Sequence, residues 1–126
     1  MSFLVVGDVI DDILVTPQTA IRVNTDTEAR ITSNPGGSAA NFACWLGSLG
    51  EDVRFVGRVG APDIERHSTV LTSFGVQPHL QGDEKLPTGS IVVLVEGSNR
   101  SFLTDRGANA NLEVSKIPAS LFGKLL

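Results

Sequence analysis

Cysteine occurs once in the 126 residues, as Cys44. A single thiol excludes an internal disulfide framework and suits a reducing compartment. Basic runs are missing as well. The 10 Lys and Arg residues are scattered among 14 Asp and Glu, which leaves a formal net charge of −4. The pI is about 5.0. That balance argues against nucleic acid as the main partner, because phosphate-backbone binding requires a basic face. No stretch approaches the ~20 consecutive apolar residues of a membrane-spanning helix, so no membrane partner is read. The N-terminus carries neither a basic n-region nor a small-residue cleavage site. It reads as lacking a signal peptide, with the cytoplasm as the expected location. A GxxxxGK[ST] phosphate loop and a GxSxG nucleophile elbow are both missing. The two histidines, His67 and His79, are too far apart in sequence and context to suggest a metal pair.

What is present reads as one small globular domain, 41% hydrophobic and 19% charged. The opening "FLVVGDVIDDILV" places a continuous apolar run, Phe3 to Val6, before Gly7. A short run of this kind suits a strand buried on both faces of a parallel sheet. Asp8, Asp11 and Asp12 follow, where ligands bind in open α/β sheets, beyond the carboxyl ends of the strands. They serve either a substrate's hydroxyls or only a solvated acidic turn. Residues 16–34 alternate Thr with Ile21, Val23, Ala29 and Ile31, and "NTDT" makes a plausible turn; this reads as an antiparallel excursion. Residues 38–49, "SAANFACWLGSL", read as a largely buried helix with Ser38 as N-cap and Gly50 just past its end. Cys44 then serves packing. Val53, Phe55 and Val56 mark a second core strand. Residues 63–74 show helical spacing, with Asp63 as cap, Gly75 as stop and His67 on the polar face. "VQPHLQG" reads as a short edge strand with His79 in a loop. Ser90–Val95 and Ser101–Thr104 form a hairpin around "EGSNR". Pro118 opens a last helix, Ala119 to Leu126. The order of elements is that of an α/β fold with an antiparallel addition.

One stretch is unusual: "NPGGSAANF", residues 34–42. Gly36 and Gly37 remove two side chains where an extended segment gives way to a helix. Glycine permits dihedrals and close approach that other residues forbid. A helix start offers N–H groups and a positive dipole end to electron-rich atoms. Asn41, in the first turn, can both donate to and accept from a hydroxyl. The alternative is a tight turn with a helix cap.

Residues 35–60, "PGGSAANFACWLGSLGEDVRFVGRVG", resemble the N-terminal signature of the PfkB (ribokinase-like) carbohydrate kinases, with Gly36, Gly37, Asn41, Ala43, Gly50 and Gly60 in the matching places. "VVGDVIDDILV" resembles the family's first strand, and its sugar-binding aspartate falls on Asp12. "FGVQPH" resembles the step into the lid. "PTGSIVVLVEGSNRSFLTDRGANANL" resembles the hairpin and "GAN" segment that follow. The resemblance implies a partial ribokinase-like three-layer α/β sandwich with a small antiparallel β lid, its strands around 16–34 and 77–104. It implies ATP-dependent phosphoryl transfer to a hydroxyl of a sugar or related polyol, an alcohol-acceptor phosphotransferase reaction, with ATP and Mg2+ used by the full-length enzyme. Asp12, Gly36, Gly37 and Asn41 would hold the sugar. Arg106 would either reach the pocket or form a surface ion pair. A homodimer through the lid strands is a further expectation from the family.

Departures from the pattern set limits. Ala39 stands where glycine is frequent. Asp63 comes later than the family's acid after the strand and is read as a helix cap. The C-terminal "DTxGAGD" segment, which carries the catalytic base, the anion hole and most of the nucleotide pocket, has no match in residues 1–126. The expectation is an N-terminal, sugar-binding part of a longer kinase, inactive and without bound ATP or metal as this chain alone. The ending "SLFGKLL" suggests continuation and an unburied sheet edge and helix face. The alternatives are a non-catalytic sugar-binding module and a lid-mediated dimerisation module. The absence of a cluster of extra basic residues favours an unphosphorylated sugar, with Arg22, Arg30, Arg100 and Arg106 the candidates if the substrate is phosphorylated.

Overall fold

A computed structural model describes residues 2–123. Two sheets organise them. The first has the order β1 (Ser2–Val6), β4 (Asp52–Gly60), β5 (Val76–Asp83), with both pairings parallel. The second has the order β3 (Ala29–Gly36), β2 (Ile10–Pro17), β6 (Ser90–Glu96), β7 (Asn99–Asp105). Helix α1 (Ser38–Ser48) leads into β4, and α2 (Ile64–Ser73) leads into β5. After β7 come 3-10 turns at Gly107–Asn111, Val114–Lys116 and Ala119–Phe122.

Strand pleat sorts the core into two layers of side chains. Val53, Phe55 and Val59 of β4 face one way, with Phe3 and Val5 of β1, and meet Ala40 and Ala43 of α1 and Leu71 of α2. Val56 faces the other way with Leu4, against Leu112, Ile117 and Leu121 of the 3-10 region. The three-stranded sheet is thus enclosed between two helices and a run of turns. The α1–α2 crossing is tight because Gly47 faces the backbone of Phe74 and Gly75, where a Cβ would overlap the Phe74 carbonyl.

Several expectations change. The four-stranded sheet is mixed: β2–β3 and β6–β7 are antiparallel, but the central pair β2–β6 runs parallel. Its strands begin at Ile10, earlier than residue 16, because Asp11 and Asp12 already pair with Pro35 and Asn34. The segment around 76–83 pairs with β4 instead, and His79 lies within that strand rather than in a loop. β1 is half-exposed, since Phe3, Leu4 and Val5 are only partly covered. α1 is not largely buried. Ala40 and Ala43 are, while Phe42, Trp45 (71% exposed) and Leu49 face outward. The last helix is a 3-10 turn at Ala119–Phe122, and its expected continuation through 124–126 lies outside the described residues.

Candidate functional site

The glycine pair is explained first by the chain's own carboxylates. Gly37 has φ 102 and stands at the start of α1, and a Cβ there would lie 2.6 Å from the Asp8 carbonyl oxygen. The close approach lets Asp8 cap the helix from across the chain. Its Oδ2 accepts the Ser38 N–H at 3.0 Å, its Oδ1 accepts the Ala39 N–H at 2.9 Å, and its carbonyl accepts the Ala40 N–H at 3.1 Å. Ser38 is therefore the first helical residue and not the cap. The N–H groups of the first turn are not free for a ligand, and a carboxylate already neutralises the positive end of the helix. Asp8→Ala should lower stability by about 0.5–2 kcal/mol, the usual range for losing an N-terminal cap, measured by urea denaturation.

Gly36 clears space for a different acid. A side chain there would overlap the Asp12 carboxylate, which lies against the Gly36 backbone. The Asp12 side chain makes no hydrogen bond among the described residues. Burial holds its carboxyl above the ordinary range, and the negative charges of Asp11 and Asp8 push in the same direction.

Gly36 also lines a cavity of about 460 Å³ between α1 and α2. Asn34, Asn41, Ser48 and His67 are its polar lining residues, and Trp45, Leu71 and Phe74 are among the apolar ones. Asp12 does not line it, nor do Gly37 and Arg106. Gly36 is thus common to both: it lines the cavity with Asn41 and lies against the Asp12 carboxylate. Arg106 is exposed and forms no ion pair among the described residues, contrary to the surface pair considered for it. Cys44 is half-buried in the cavity wall, and burial pushes its thiol up, away from the reactive thiolate. Arg30 pairs with Thr16 and Arg100 with Val95, at the end of the sheet remote from Asp12, and Arg22 lines a second cavity of about 280 Å³ at that same end.

Below the site, the charged groups form a network. Arg66 of α2 binds Asp11 with two hydrogen bonds, at 2.8 and 2.9 Å. His67 is 1% exposed and not on the polar face; its Nε2 lies 3.1 Å from Asp11 Oδ1. Burial pulls the His67 pKa below 6.5, partly offset by the Asp11 charge. The folded state therefore resists protonation. Stability should be full above about pH 6.5 and fall as pH drops below it, and His67→Asn should flatten that slope in denaturation curves at pH 7.5, 6.5 and 5.5. Asp63 stands at the α2 N-cap position but does not cap. Its Oδ2 accepts the Thr88 hydroxyl at 2.6 Å, while Thr88 Oγ1 accepts the Gly60 N–H at 3.0 Å. Asn109 Oδ1 accepts the Val9 N–H at 3.2 Å, so the "GAN" segment ties the turns to the β1–β2 junction.

The sequence matches the pfkB family carbohydrate kinase profile over residues 2–124. The chain belongs to that family. Among solved structures it resembles an ATP-bound fructokinase from Xylella fastidiosa at 24% identity and TM-score 0.78, covering 96% of this chain and 38% of that one. It also resembles a sugar kinase from Pyrococcus horikoshii in complex with ATP, at 25% identity and TM-score 0.77, covering 97% and 40%. A third is the ADP complex of a ribokinase from Cryptococcus neoformans var. grubii serotype A, at 26% identity and TM-score 0.69, covering 83% and 34%. No curated protein matches. The pfkB chain thus spans well under half the length of these kinases, and the α/β fold with two sheets is theirs in part.

Within this pfkB chain no group of three or more His, Cys, Asp or Glu among the described residues is arranged to hold a metal ion. Asp8 and Asp11 are each committed to protein partners, and the first-turn amides of α1 that could cradle a phosphate are taken by Asp8. These residues therefore do not fit a magnesium–nucleotide site. No described helix is long and apolar enough to cross a membrane. The sequence had pointed to Asp12, the glycines and Asn41. It named Asp8 and Asp11 only as possible acceptors for substrate hydroxyls and missed their partners in α1 and α2, and it missed Arg66 and Thr88, because these contacts are remote in the chain.

Proposed function

We propose that this chain is the acceptor-binding part of an ATP-dependent carbohydrate kinase that phosphorylates a hydroxyl of a neutral sugar or related polyol. The observation that carries the reading is the Asp12 carboxylate, unengaged and seated against Gly36, which itself lines the cavity together with Asn41. Asp12 accepts hydrogen bonds from hydroxyls, Asn41 both donates and accepts, and Gly37 lends its backbone nearby. Fixing the acceptor hydroxyl in this way supplies the positioning on which phosphoryl transfer depends. The four-stranded sheet acts as a lid that excludes water. The base, the anion hole and the nucleotide site belong to the C-terminal part of the full-length enzyme, which would bind ATP, the phosphoryl donor, with Mg2+. Arg106 is exposed and does not line the cavity. A neutral acceptor is favoured because three aspartates gather here while Arg22, Arg30 and Arg100 lie at the far end of the sheet.

Titration calorimetry with a panel of neutral polyols and their phosphate esters tests this. Heat from at least one neutral member and none from the esters is expected. No binding by any polyol would remove the reading. The apolar surface of Phe42, Trp45 and Leu49, together with the outer face of the four-stranded sheet, supports association with further kinase structure or a second copy through the lid strands.

A further inference from the structure

We propose that Arg66 is a positioning residue for Asp12: it holds the adjacent Asp11, and with it the root of β2, in the geometry that presents Asp12 to the acceptor. The inference rests on the reading of Asp12 given above.

Asp11 and Asp12 are consecutive on β2, so the pleat sends their side chains to opposite faces. Asp12 goes to Gly36, and Asp11 goes to α2. There Nη1 of Arg66 donates to Oδ1 at 2.8 Å and Nη2 to Oδ2 at 2.9 Å. Two parallel bonds fix the plane of a carboxylate as well as its position. The Asp11 side chain is 16% exposed and that of Arg66 49%, so the acid end of the pair is sheltered from water. Asp63, 3.4 Å away, steadies the guanidinium from its own helix.

The place of this pair in the fold gives it leverage. Asp11 opens the β2–β6 pairing opposite Ser90, and its N–H donates to the Gly89 carbonyl at 2.9 Å. This is the point where the four-stranded sheet leaves the rest of the molecule. Arg66 belongs to α2, which precedes β5 of the other sheet and packs Leu71 into its core. Apart from the His67 contact at the same carboxylate, no other ion pair among the described residues joins the four-stranded sheet to a helix. His67 does not substitute for Arg66, because one ring nitrogen touches a single carboxylate oxygen and cannot fix the plane as the two Arg66 bonds do.

The Asp12 carboxylate has no hydrogen-bond partner of its own among the described residues, although its backbone lies in the β2 ladders. Its orientation depends on the peptide it shares with Asp11 and on the Gly36 surface beneath it. Releasing Asp11 frees that peptide and leaves an uncompensated negative charge one residue from Asp12.

Hydrogen exchange by mass spectrometry, paired with polyol calorimetry, tests the proposal on the wild type, Arg66→Met, Arg66→Lys, Asp11→Asn and the Arg66→Met/Asp11→Asn double variant. In Arg66→Met and in Asp11→Asn, amides of residues 10–14 should exchange about tenfold faster, the opening expected from loss of one charge-assisted pair. The double variant should be no worse than either single one. Arg66→Lys, which keeps the charge but not the fork, should fall between. Amides of β4 should be unchanged, and polyol affinity should fall in the same order. Wild-type exchange in Arg66→Met, or single effects that simply add in the double variant, would overturn the proposal. So would undiminished polyol affinity in Arg66→Met when the wild type binds. A wild type that binds no polyol removes the acceptor reading itself.

Discussion

Gly37→Ala is expected to cost about 2–6 kcal/mol of folding stability, combining ~1–3 for a strained backbone with ~1–3 for overpacking. Gly37 sits at φ 102, ψ 132, a region closed to side-chain-bearing residues. A Cβ there would meet the Asp8 carbonyl oxygen at 2.6 Å and its carbon at 2.9 Å. Both are backbone atoms, and they cannot move without releasing the three amides that Asp8 holds at the start of α1. Gly50 provides the control. It also has a positive φ, 88, but an added Cβ would meet nothing within 4 Å. Gly50→Ala should therefore show only the left-handed strain, about 1–2 kcal/mol. Urea denaturation of both variants separates the contributions. Equal losses would mean that the contact with Asp8 adds nothing. Against a typical total of about 5–15 kcal/mol, the Gly37 substitution alone could unfold the chain.

The second large effect is on binding. Asp12→Asn should weaken polyol affinity by about 10- to 150-fold, the loss expected when a charged hydrogen-bond acceptor becomes neutral, about 1.5–3 kcal/mol. Stability should move the other way. Burial, then Asp11 and Asp8, hold the Asp12 carboxyl above its ordinary range in the folded state. A group with a raised folded pKa stabilises the fold while protonated, and that contribution is lost as pH rises through the folded value. At pH 7 the ionised Asp12 is therefore a cost that asparagine does not carry. The thermal midpoint of Asp12→Asn at pH 7 should equal or exceed that of the wild type. Asp11→Asn should show the opposite sign, since Arg66 holds that carboxyl below its ordinary range and its charge supports the fold. A lower midpoint for Asp12→Asn would mark Asp12 as a structural carboxylate.

Some of this was legible in the sequence because it depends on neighbours. Val53, Phe55 and Val56 mark β4 as a core strand by a local run of apolar residues, and all three are buried there. The hairpin turn between β6 and β7 was announced by Gly97, which takes φ 60. Gly50 and Gly75 end their helices in the left-handed conformation for the same local reason. The misreadings share one cause: the deciding partner lies far along the chain. Spacing on α2 cannot reveal that His67 meets Asp11 of β2. The first turn of α1 cannot reveal that its cap is Asp8, from the loop after β1. The apolar run of 38–49 shows that the helix has surface to cover, but not which side the described residues cover. The candidate site divides in the same way. Glycines and Asn41 stand together in one motif, whereas the commitment of Asp8 and Asp11, which leaves Asp12 unengaged, depends on α1 and α2 being in place.

The parallel seam of the four-stranded sheet has a kinetic consequence. β3 adds to β2 and β7 adds to β6 as near neighbours, but the seam brings Ile13 opposite Val92. Closing so long a loop costs entropy that is recovered only when the intervening β4, α2 and β5 have already gathered. The chain is therefore expected to assemble its three-stranded half first and to join two preformed hairpins along the β2–β6 line last. Under mild destabilisation the same line would be the first to part, with each hairpin intact.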